Sequence, residues 1–102
     1  MPACKITVLK RAFNADLAEQ YCLHETSPCS RFSEGQEFIV PYGEQPPAEF
    51  CDWAWNDIYN AYLTLVKGGS NFTPWMKNGN SVIRCCNDGV RPVVFILERI
   101  ED

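Results

Sequence analysis

Thiols are the residues of this chain best equipped for chemistry. Six cysteines stand at positions 4, 22, 29, 51, 85 and 86, and the single histidine, His24, falls between two of them. A tetrahedral zinc site takes four sulfur or imidazole donors. Cys22, His24, Cys29, Cys51 and Cys86 are therefore the candidate metal ligands, with zinc the expected ion. The spacing speaks against such a site, because the chain has no C-x-x-C pair and those pairs make zinc signatures specific. Neighbours in a strand point to opposite faces, so Cys85 and Cys86 do not both reach one metal without a bulge. On that alternation Ile83 and Cys85 share one face, and Val82, Arg84 and Cys86 the other. A free cysteine also serves as a small buried hydrophobe. Six in 102 residues is below the roughly 8–10% that marks a disulfide scaffold.

A second chemistry is nucleophilic or redox. Cys51 opens an apolar segment of helical spacing, and a thiolate at a helix start is favoured by the dipole. Cys51 is thus the candidate catalytic residue, although Asp52 beside it opposes the charge. His24 serves as its base only if the first loop folds over the helix start. One histidine leaves little for a Ser-His-Asp arrangement, and no phosphate loop or dinucleotide fingerprint occurs.

A third reading is an aromatic-lined small-molecule or protein-interaction pocket. Trp53, Trp55, Tyr59, Tyr62, Phe72 and Trp75 crowd one stretch, with Arg91, Asp57 and Asp88 as polar groups to orient a ligand. Trp55 and Tyr62 also fall on a core-facing stripe, whereas Trp53, Tyr59 and Trp75 do not.

The elements that must position these residues follow from periodicity. From Cys51, offsets of 0, 3, 4, 7, 10, 11 and 14 reach Cys51, Ala54, Trp55, Ile58, Ala61, Tyr62 and Leu65. That is the amphipathic helix template, and it predicts one long helix opened by Pro47 and stopped at Gly68-Gly69. Residues 4–13, 36–42, 81–87 and 90–101 read as strands by alternation and β-branching. The last of them, V-V-F-I-L, is apolar on both faces and belongs inside the sheet. Asp88-Gly89 predicts a tight hairpin turn. Asn14 caps a short helix over 15–21. Residues 22–35 form a loop of a length that is functional or held by something. The expected fold is a single α+β domain over residues 1–102: one long amphipathic helix on a mostly antiparallel four-stranded sheet, plus one short helix.

Bulk properties exclude several roles. A net charge of −4 with scattered Lys and Arg argues against nucleic acid or an anionic membrane as partner. No apolar run is long enough to span a bilayer, and the first ten residues do not read as a signal peptide. The expected setting is cytoplasmic, where thiols stay reduced. The partner is a small molecule or a metal, with a homo-oligomer open.

Five segments together resemble a family of small uncharacterised prokaryotic proteins of about this length. They are K-I-T-V-L-K-R, E-G-Q-E-F-I-V, F-C-D-W-A-W-N-D-I-Y, P-W-M-K and C-C-N-D-G-V-R-P-V-V-F-I-L-E-R-I-E. The resemblance spans nearly the whole chain, and Cys51, Cys86, Asp88, Gly89, Arg91 and Pro92 match its most specific motifs. It implies a domain boundary and no activity. The leading expectation is a small binding protein whose site lies between the Cys51 helix start, the Cys22–Cys29 loop and the Cys85–Cys86 hairpin. A thiol-dependent enzyme using Cys51 is the alternative, and an aromatic pocket with structural cysteines the third.

Overall fold

Alternating burial along four strands produces a sheet with one covered face. A computed structural model describes residues 2–23, 26–43, 45–70 and 73–101. His24 and Phe72 lie outside the described residues. The elements in chain order are β1 (Ala3–Arg11), α1 (Ala15–Tyr21), β2 (Glu37–Pro41), α2 (Asp52–Val66), β3 (Ser81–Cys85) and β4 (Val93–Ile100). The strands lie in the order β2-β1-β4-β3, and every neighbouring pair is antiparallel. The apolar strand β4 is therefore interior. Ile6 pairs with Phe38 and Leu97, and Leu97 with Val82. These positions share the face that meets α2, where Cys4, Ile6, Val8, Val40, Val82, Phe95 and Leu97 are buried. The opposite face carries Lys5, Thr7, Ile39, Ile83, Cys85 and Glu98, and Ile39, Ile83 and Cys85 are exposed.

α2 buries Ala54, Ile58, Ala61, Tyr62, Leu65 and Val66, with Cys51 and Trp55 half-buried. It differs from the expected helix in two respects. It is only 15 residues long, because Cys51 is extended at φ −67° and ψ 124° and Glu49 is left-handed at φ 65°. Pro47 therefore precedes a turn instead of opening the helix, and its carbonyl accepts the Phe50 N–H at 3.1 Å. Nor are its apolar residues confined to the core side, since Trp53 is 70% exposed. The carboxyl end follows expectation. Gly68 takes φ 86°, its N–H donates to the Leu65 carbonyl at 3.0 Å, and the Gly69 N–H donates to Thr64 at 2.8 Å. This is the paired closure of a Schellman end.

The connections depart more from the sequence reading. Asn14 makes no side-chain cap for α1; its Nδ2 instead donates to the Gly89 carbonyl at 2.6 Å. The β3–β4 hairpin is not closed by a two-residue Asp88-Gly89 turn. Its ladder ends at Cys85 and Val94, the Cys86 N–H donates to Val93 O at 3.1 Å, and the loop between them is wide. The loop before β2 is held by Phe32, which is buried among Phe38, Phe50 and Phe95 at ring separations of 6.1, 5.1 and 5.2 Å. Among the described residues no helix is long and apolar enough to cross a membrane.

Candidate functional site

Three segments distant in sequence meet at the amino end of α2 and enclose a cleft of about 230 Å³. The loop before β2 contributes Cys29, Arg31 and Phe32; the helix start contributes Cys51, Trp53 and Ala54. The β3–β4 loop contributes Cys86, Asn87, Asp88 and Arg91, and Val93 completes the wall.

Each wall is anchored by backbone chemistry or by packing. Arg11 reaches from β1 and donates from Nη1 to the Cys29 carbonyl at 2.9 Å. Ser30 and Arg31 are exposed, and Phe32 directly after them inserts its ring into the core. Cys51 is the N-cap of α2, and its carbonyl accepts the Trp55 N–H at 2.9 Å. Its side chain caps nothing. Cys86 is fixed on both sides: its N–H donates to Val93 O, and its Sγ accepts the Val93 N–H at 3.3 Å. The next residue ties the loop to the helix, the Asn87 N–H donating to Asp57 Oδ2 at 2.8 Å.

Asp88 organises the rest of that loop. Its Oδ1 accepts the N–H groups of Val90 and Arg91, both at 2.9 Å, and its Oδ2 accepts Arg91 Nε at 3.4 Å. The Arg91 N–H, together with that of Val90 and the guanidinium, holds the Asp88 carboxyl below its ordinary range despite some desolvation. The carboxylate in turn steadies the Arg91 guanidinium. The two Nη groups of Arg91 have no hydrogen-bond partner among the described residues, and neither has the Arg31 guanidinium.

The six thiols therefore fall into distinct settings. Cys29, Cys51 and Cys86 are half-buried and line the cleft. Cys4 is fully buried on the covered sheet face, and burial pushes its thiol up to about 12. That sulfur is a core atom. Cys22 is half-buried and Cys85 exposed, and neither lines the cleft. Among the described residues no group of three or more His, Cys, Asp and Glu is arranged to hold a metal ion, so the three cleft cysteines share a wall without forming a donor set.

Of the aromatic candidates, Trp53 lines the cleft. Trp55 and Tyr59 pack against the core, with ring centroids 5.7 Å apart. Trp75, between α2 and β3, is 76% exposed and is not part of the cleft. Arg91 lines it, as do two residues the sequence reading passed over, Arg31 and Asn87. The available signal for Arg31 was its neighbour: a phenylalanine in a polar loop must bury somewhere, and burying Phe32 places Arg31 at the rim. Comparison with protein-family models, with curated proteins and with solved structures finds no match.

Proposed function

We propose that the protein is a small-ligand-binding protein whose site is the Cys29–Cys51–Cys86 cleft. The observation that carries this reading is the convergence of three half-buried thiols from three separate segments beside two guanidinium groups. Packing alone accounts for Cys4, which is fully buried within the core. Cys29, Cys51 and Cys86 also pack against the core, but unlike Cys4 they border the open cleft as well. All six cysteines are free, which fits a reducing compartment such as the cytoplasm.

Zinc is the competing occupant expected from the sequence, although the three cleft cysteines are not arranged as a donor set. Elemental analysis of the purified protein, with thiol counts before and after denaturation, separates the two. A zinc site predicts about one ion per chain, lost together with melting temperature in Cys51→Ser and in Cys86→Ser. A small-molecule cleft predicts folded, metal-free protein whose cleft thiols are alkylated in the native state while Cys4 is protected. Thiols that all stay closed until unfolding remove the cleft as a site. A thiol-dependent activity using Cys51 is the other reading, and it predicts one cysteine alkylated far faster than the rest.

A further inference from the structure

The cleft wall carries two chemistries, and one class of ligand satisfies both. Cys29, Cys51 and Cys86 present sulfur, while Arg31 and Arg91 present positive charge. The one carboxylate in the lining, Asp88, is engaged by Arg91 Nε and by two backbone N–H groups. The wall is therefore left with a positive surplus in a chain whose net charge is −4. Asp88 orients the Arg91 guanidinium and leaves its Nη fork without a partner among the described residues, and such a fork matches a carboxylate. Trp53 lines the same cleft at 70% exposure. The volume of about 230 Å³ lies below the roughly 300–1,000 Å³ usual for drug-sized ligands, so the occupant is small or only partly enclosed.

Resting on the reading of this cleft as a ligand site, we propose that it receives a small carboxylate-bearing disulfide and captures half of it as a mixed disulfide on a cleft cysteine. A cleft thiol gives its proton to solvent, and the thiolate attacks one sulfur of the bound disulfide. The protein–ligand S–S bond forms as the ligand's own S–S bond breaks, and the departing half leaves with the electron pair as a thiolate. The cysteine is oxidised, the ligand is reduced, and no further oxidant is needed. The arginines hold the carboxylates while exchange occurs. Attack by a free thiol of the same class reverses the step.

The test compares two disulfides of opposite charge, oxidised glutathione (polyanionic) and cystamine (dicationic). The chain is chelator-washed, modification is mapped by peptide mass spectrometry, and each rate is divided by that of the urea-unfolded chain. The expected result is modification at Cys29, Cys51 or Cys86, with a normalised rate about tenfold higher for oxidised glutathione at low salt. The preference narrows at high salt. It disappears in the Arg31→Gln/Arg91→Gln double variant and is weakened but still favours the anion in Arg31→Lys/Arg91→Lys, which keeps the charge without the fork. The chain's overall charge favours cystamine, so a preference for the anion reports the local wall. Equal normalised rates at a cleft cysteine, or first modification at Cys22 or Cys85, overturn the proposal and leave the cleft as a ligand site. No modification of any cleft cysteine by either disulfide overturns the proposal, and the ligand-site reading falls with it where the same thiols also resist alkylation in the native state.

Discussion

The two ends of α2 are finished by opposite means. At the carboxyl end, Gly68 and Gly69 close the last turn onto Leu65 and Thr64. Arg99 crosses from β4 and donates from Nη1 to the Leu65 and Gly69 carbonyls at 3.0 and 3.1 Å, and from Nη2 to Asn80. The Leu63, Thr64 and Leu65 carbonyls, which a helix leaves orphaned there, are taken up by the fold. At the amino end, Cys51 offers no side-chain cap, Glu49 sits in left-handed backbone, and the cleft lies alongside, with Arg91 paired to Asp88 only through Nε. A left-handed non-glycine residue persists only where its surroundings over-determine it, and such residues gather at functional sites. The closed end is architecture. The open end is where the protein has polar groups to spare for something else.

The sharpest way to break this contrast is to remove the core ring that supports the open end. Phe50 is buried and contacts Phe32, Phe38 and Trp55 at 5.1, 4.9 and 5.9 Å between ring centroids. Phe50→Ala removes the ring that joins the Arg31 loop to the helix start. It should cost about 3–5 kcal/mol of stability, read by chemical denaturation, and should speed alkylation of Cys29 and Cys51 in the native state. A stability loss of that size with unchanged cleft-thiol rates would separate this core ring from the site.

The closed end responds differently. Arg99→Ala strips charged donors from two carbonyls and from Asn80, and should cost about 1.5–3 kcal/mol. Because this end has no share in the cleft, alkylation of Cys29, Cys51 and Cys86 should keep its native rate under conditions where the variant stays folded. A change in those rates would mean that the two ends are coupled through the helix.

The same contrast explains how far the sequence could be read. The closed end is local: Gly68-Gly69 after a periodic segment has one economical conformation, so the stop was legible. The strands were legible by alternation, and the interior place of β4 by its unbroken apolar run. The open end depends on side chains distant in sequence, and there the reading failed in particular ways. Asp88-Gly89 resembled a two-residue turn. However, the Asp88 carboxylate turns back onto the N–H groups of Val90 and Arg91 and stabilises a wider loop. Asn14 looked like a cap, yet its amide is drawn across to Gly89. The helix looked longer at its start because Pro47 is compatible with a first turn, whereas left-handed Glu49 breaks the path. Three of the cysteines named as candidate ligands, Cys29, Cys51 and Cys86, do lie on one cleft, while Cys22 does not and His24 falls outside the described residues. Spacing could not reveal Arg31, because its position follows from where Phe32 packs.

The smallest expected effect is also the most discriminating. Cys51 has the extended backbone of an N-cap, φ −67° and ψ 124°, but its sulfur accepts no hydrogen bond from the first turn. Serine in that conformation is a strong N-cap, accepting an N–H from the second or third helical residue. Those residues are Trp53 and Ala54. Cys51→Ala and Cys51→Ser both delete the sulfur, so the difference between them isolates the cap. In chelator-washed protein the serine variant should be more stable than the alanine variant by about 1 kcal/mol, or about 4–8 °C in Tm for a chain of this size. If the thiol serves only as packing, the serine variant should also approach or exceed the wild-type Tm. If zinc added to the wild-type protein raises its Tm while both variants fail to respond, the sulfur is a ligand and the missing cap is the cost of keeping it. If neither variant differs from the other, the first-turn N–H groups are already satisfied, and the contrast between the two ends of α2 fails at its simplest point.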